Sequence, residues 1–170
     1  MNNSEKMLSA IEAQDLVQAE QWFEKALLED SDSILLDLGE YLESIGFFLQ
    51  AKRIYNKLAP LYPQVNLNLA AIASEDGDLE EAFGYLEEIS SNDPWYVNAL
   101  LIKADLYQME GLPDVAREKL VEASQLSDDP IITFGMAEID FELGNFTQAI
   151  KEYASLDNRT IYEQTGISTY

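Results

Sequence analysis

Apolar residues return along this chain at intervals of three and four, not two, which predicts helices and no strands. The periodic stretches fall in pairs: about 4–13 with 16–29, 33–45 with 48–59, 64–75 with 79–90, 94–109 with 113–126, and 130–143 with 146–156. Within a stretch one side is apolar and the other polar, as with Leu35, Leu38 and Leu42 against Asp37, Glu40 and Glu43. A single helix pair cannot bury such a stripe alone, so each pair is expected to stack on its neighbours.

The turns between paired helices carry a second regularity. Gly46, Gly77, Gly111 and Gly144 recur every 31 to 34 residues, and each is followed five residues later by an alanine: Ala51, Ala82, Ala116 and Ala149. The glycine ends the first helix in a left-handed conformation that other residues adopt only at a cost. The alanines let two helices approach closely where a larger side chain would overpack. Gly39, Ala70, Ala104 and Ala137 play the same part on the first helices, and Phe23, Tyr55, Leu86, Leu120 and Tyr153 supply the larger knobs. In the first pair Gln14 sits where the glycine should be. Pro63, Pro94 and Pro130 mark places where one helix stops and another starts, with Asp93 and Asp129 expected as caps.

The second pair reads Leu35-x-x-Leu38-Gly39-x-x-Leu42, then Gly46-x-Phe48-x-x-Ala51-x-x-x-Tyr55, then Pro63. It resembles the tetratricopeptide repeat, W-x-x-L-G-x-x-Y followed by A-x-x-x-F and P. Copies in phase extend the resemblance over roughly residues 4–156. The resemblance implies an all-α fold, a right-handed α-solenoid of about five tandem helix pairs in one domain. The units fall at about 1–31, 32–63, 64–94, 95–128 and 129–157, with 158–170 the start of a further helix or a tail. That last segment suggests an N-terminal fragment of a longer bacterial-type repeat protein.

In this family the first helices line a concave groove that binds protein segments. The resemblance therefore implies a non-catalytic scaffold whose partner-binding residues are Asp37, Glu40, Leu67, Asn68, Asn98, Leu101, Asp105, Phe134, Glu138 and Phe141. Lysine and arginine are absent from this set. A clamp for acidic chaperone tails, which family members build from such cations, is therefore not expected. Leu67, Leu101, Phe134 and Phe141 offer apolar anchors inside an acidic rim, which suits a basic and apolar segment. The alternative is a structural protein that forms a homodimer through its C-terminal end.

Composition sharpens the partner. The 170 residues hold 32 acidic and 10 basic side chains, a formal net charge of −22. Such a field repels phosphate backbones and anionic lipid, so neither nucleic acid nor membrane is an expected partner. The absence of cysteine, of a long apolar run and of a charged leader makes a cytoplasmic address the default.

Catalytic chemistry finds little purchase. With no histidine and no cysteine, the commonest general base, nucleophile pairs and most zinc sites are missing. The densest acidic run, Glu75-Asp76-Gly77-Asp78-Leu79-Glu80-Glu81, lacks the ligand spacing of a calcium loop and coincides with a repeat turn. No enzyme activity, cofactor or metal is expected.

Overall fold

The computed structural model describes residues 1–157 and 163–165, and among these the regular structure is entirely helical. The elements are α1 (Asn3–Glu12), α2 (Leu16–Glu29), α3 (Asp32–Ser44), α4 (Phe48–Leu58), α5 (Val65–Glu75) and α6 (Leu79–Glu87). They continue with α7 (Tyr96–Met109), α8 (Pro113–Ser124), α9 (Pro130–Glu142) and α10 (Phe146–Ser155). These are the five helix pairs that the apolar spacing predicts, shifted by a few residues at their ends. Most of the expected further helix at 158–170 lies outside the described residues; Glu163–Thr165 is helical and exposed.

The chain divides into two compact units, Met1–Glu88 and Ile89–Tyr170. The first holds α1–α6. Its core gathers Met7, Phe23, Leu35, Leu42, Ile54, Tyr55, Leu58 and Leu69, each almost fully buried. The second holds α7–α10 around Leu100, Ala104, Ala116, Leu120, Ala123, Ile132 and Ile139.

Two positions show why the repeat needs its small residues. A Cβ on Gly39 would lie 3.0 Å from Tyr55 Cε1 and 3.2 Å from Ile54 Cγ2, so α3 and α4 touch there only because the side chain is missing. At Gly46 there is open space around a notional Cβ, and the requirement is conformational, with φ at +88°. Gly46 N donates to Glu43 O at 3.2 Å and Phe47 N to Leu42 O at 2.8 Å, which satisfies the carbonyls left open at the end of α3. Gln14 makes the same turn without a glycine. Its φ is 60°, Gln14 N donates to Ile11 O at 2.9 Å, and Asp15 N donates to Ala10 O at 2.9 Å. The first repeat therefore keeps the geometry at the cost of a left-handed glutamine.

Asp129 caps α9 as expected, its Oδ1 accepting from Ile131 N at 3.1 Å ahead of Pro130. Asp93 behaves differently. It accepts from Trp95 N at 2.9 Å inside a turn, and α7 begins only at Tyr96, two residues beyond Pro94.

Candidate functional site

The turn residue gives a register for comparing the first helices. Six residues before it stand Glu40, Ala71, Asp105 and Glu138, and all four are exposed. Ten residues before it stand Leu36, Leu67, Leu101 and Phe134, and all four are half-buried or buried. In α3, α5, α7 and α9 the outward face is thus set by the former row, and the latter packs between helices; in α1 the residue six before Gln14 is the half-buried Leu8.

In the first unit, Asp37 and Glu40 project from α3 into solvent. Asp37 lines an open cavity of about 280 Å³ between α1 and α3, with Glu5, Leu8, Ile34 and Tyr41. Glu43, one turn further, is drawn inward: Tyr55 Oη donates to its Oε2 at 2.6 Å, and Asn68 Nδ2 donates to the same oxygen at 3.2 Å. Asn68 Nδ2 also lies 3.4 Å from Tyr55 Oη. Burial first, then the hydrogen bond to Glu43 and the charges of Glu43 and Glu40, push the Tyr55 hydroxyl well above the ordinary tyrosine range, so it stays a neutral donor. The nitrogen of Asn68 is therefore committed inside the protein, and Leu67 beside it is half-buried. Tyr55 and Glu43 were legible as a repeat knob and a polar first-helix position; their pairing was not, since it depends on the depth at which the ring sits.

In the second unit, Asn98 and Asp105 are exposed on α7 and Glu138 is exposed on α9. Desolvation raises the pKa of Asp105. Desolvation also raises that of Glu138, and the charge of Asp105 adds to it. The two carboxylates thus feel each other across neighbouring first helices. Tyr153 on α10 shares this environment, its hydroxyl pushed up by desolvation first and by Glu138 and Glu152 next. Leu101 is half-buried against the unit's core.

Phe134 departs from its expected role as a groove anchor. Only 6% of it is exposed, and its ring meets that of Tyr153 edge-on with centroids 5.9 Å apart. The ring is long enough to reach across to the second helix of its own pair, so it belongs to the core. Phe141 is 60% exposed and meets the ring of Phe146 edge-on, with centroids 5.2 Å apart. Phe146 and Ile150, one turn apart on α10, extend this apolar patch.

None of the carboxylates of Asp37, Glu40, Asp105 and Glu138 meets a protein cation among the described residues. Three cations on second helices form ion pairs: Lys52 with Glu81, Arg53 with Glu20 and Glu24, and Arg117 with Asp140 and Glu152. Lys6 and Lys25 flank the ring of Trp22 at 4.5 and 4.6 Å, which makes Trp22 a packing residue. Among the described residues no group of three acidic side chains is arranged to hold a metal ion, and no helix is long and apolar enough to cross a membrane.

Known proteins carry the same pattern. A family model described as YpiA-like, tetratricopeptide repeats, matches residues 108–161. The TPR repeat-containing protein YpiA of Bacillus subtilis (strain 168) is 32% identical over 148 residues, which cover 85% of this chain and 33% of that protein. The chain therefore spans a third of the length of this curated relative. Among solved structures, TTC0263, a thermophilic TPR protein of Thermus thermophilus, matches with a TM-score of 0.60 at 23% identity, over 97% of this chain and 91% of that one. A MamA protein matches with a TM-score of 0.68 at 16% identity, over 99% of this chain and 96% of that one. Turn glycines, paired small residues, helix pairing and these likenesses agree, and the chain belongs to the tetratricopeptide-repeat family.

Proposed function

We propose that the chain is a non-catalytic interaction scaffold that holds a protein segment against its first helices, and that the segment carries lysine or arginine between apolar anchors. The carrying observation is the row of exposed carboxylates six residues before the turns, above all Asp105 and Glu138. Both are pushed above their ordinary values by desolvation, and among the described residues neither meets a cation. An incoming ammonium or guanidinium would relieve the repulsion between them, which makes part of the binding energy specific to a cation. An anionic ligand would add to the repulsion. Phe141 and the exposed Met109 provide apolar contact beside the acids, in place of the buried Phe134. Apolar contact supplies most of the affinity in such a surface and the charges mostly the association rate.

The test is affinity capture from extract at low and at high salt, using the wild type and an Asp105→Asn, Glu138→Gln variant side by side. The expected result is a basic partner held at low salt by the wild type, released by salt and lost in the variant. Equal capture by both proteins would contradict the reading.

A second reading, self-association, is favoured by the exposed Phe141, Phe146 and Ile150 patch on the fifth helix pair. It predicts a mass that rises with concentration in light scattering and no longer does so after Phe146→Ser. A constant monomer would remove it.

A further inference from the structure

Gly84 stands in the interior of α6, where glycine weakens a helix relative to any ordinary residue. The other two glycines inside helices have a packing reason. A Cβ on Gly39 would come to 3.0 Å from Tyr55 Cε1, and one on Gly135 to 3.0 Å from Leu120 Cδ1. At Gly84 a Cβ would meet nothing within 4 Å, so the fold has room for a side chain and lacks one. Gly84 lines an open cavity of about 670 Å³ in the first unit. That volume falls in the range of small-ligand pockets, roughly 300–1,000 Å³.

The chemistry of the walls is specific. Glu81, Gly84 and Tyr85 on α6 and Glu88 at its C-terminal cap follow one another at helical spacing, so the two carboxylates flank the glycine along the chain. Glu81 Oε1 already accepts from Lys52 Nζ and from Tyr85 Oη, both at 2.7 Å. Its Oε2 remains open, and Glu88 is exposed and makes no side-chain hydrogen bond or ion pair among the described residues. Pro60 and Pro63 add apolar lining to the same cavity, and the exposed Asn56 adds a carboxamide.

We propose that this cavity receives an arginine side chain from a partner protein, through residues other than the first-helix acids. The stem crosses α6 over Gly84, in the slot between the prolines and the Tyr85 ring. The guanidinium reaches Glu88 and the open oxygen of Glu81. Arginine fits better than lysine because a planar fork of donors can serve acceptors on two residues, whereas an ammonium is a single point of charge.

The probe is a blocked tripeptide, acetyl-alanyl-arginyl-alanyl-amide, with its citrulline counterpart as the neutral isostere, titrated at millimolar concentration into isotopically labelled full chain. The expected result is a saturable shift of the Gly84, Tyr85 and Glu88 amide signals with the arginine peptide, weakened about tenfold for citrulline. Gly84→Leu, which fills the slot with a good helix former, is expected to abolish the shift while keeping the dispersed spectrum of the fold. Glu88→Gln leaves the slot open and is expected to weaken binding about tenfold. No saturable shift in the wild type, equal response to both peptides, or undiminished binding by Gly84→Leu would each overturn the proposal. None of these outcomes touches Asp105 or Glu138, so the surface proposed above stands or falls separately.

Discussion

The two compact units place a cation at the same point of the repeat, six residues after the turn glycine, and use it in opposite ways. In the first unit, Lys52 Nζ meets Glu81 at 2.7 Å with both side chains about one-third exposed. In the second, Arg117 holds Asp140 with two hydrogen bonds, Nε to Oδ1 at 2.9 Å and Nη2 to Oδ2 at 2.8 Å, and reaches Glu152 at 3.4 Å. The Asp140 side chain is only 1% exposed and that of Glu152 only 9%. Repeat position alone therefore does not set the energetic weight of a charge; the depth of its partners does. A surface pair trades water for a partner at little gain, while a buried carboxylate depends on its cation to be tolerated at all.

Removing each cation in turn should break that comparison open. Arg117→Ala strands two buried carboxylates and is expected to cost the second unit about 3 to 5 kcal/mol. Lys52→Ala is expected to cost the first unit less than about 1 kcal/mol. Trp22 lies in the first unit and Trp95 in the second, so denaturant titrations of single-tryptophan variants report the two separately. Acid sharpens the same contrast. The Arg117 hydrogen bonds hold the Asp140 carboxyl below its usual range. That stability is present above the unfolded aspartate value near ~3.9 and is lost as pH falls through the lowered folded value.

The next largest contrast lies inside the second unit. Phe134→Ser empties a core position and is expected to cost about 3 kcal/mol or more, whereas exposed Phe141→Ser should change thermal stability by no more than about 0.5 kcal/mol. Equal losses would put both rings in the same environment, against their 6% and 60% exposure. In the first unit, Gln14→Gly should gain about 0.5 to 1 kcal/mol, because glycine takes the left-handed turn without steric cost. The Asp105→Asn, Glu138→Gln pair is expected to give the smallest effect on folding. Both carboxyls titrate above their ordinary values, so the native state holds extra protons, and stability falls as pH rises through the raised values. The neutral variant should therefore gain a few tenths of a kcal/mol at pH 7 and nothing in acid, since both side chains are exposed and screened.

The helix pairs were legible because their determinants are local. Gly46, Ala51 and their counterparts fix a turn and a close approach within one repeat, and the periodic apolar stripe does the rest. Gln14 shows the reach of that argument: the turn forms even where the glycine is missing. The acidic row was legible for a similar reason, since Glu40, Asp105 and Glu138 sit opposite the stripe of their own helices. Phe134 was not, because its fate depends on Tyr153, a residue nineteen positions away on the next helix. The internal contacts of Asn68 were not legible either: its amide nitrogen meets Glu43 and Tyr55, partners that belong to the preceding helix pair. The buried Arg117 cluster gave no sign in the sequence, where Arg117 and Lys52 occupy equivalent places.

The most direct test of the scaffold reading is site-specific photocrosslinking in extract from two exposed positions of the second unit, Asn98 on α7 and Glu118 on α8. A partner segment rich in lysine or arginine should be captured from position 98, competed away by salt, and absent from position 118. Capture from 118 with none from 98 would place the binding face on the second helices and contradict the account.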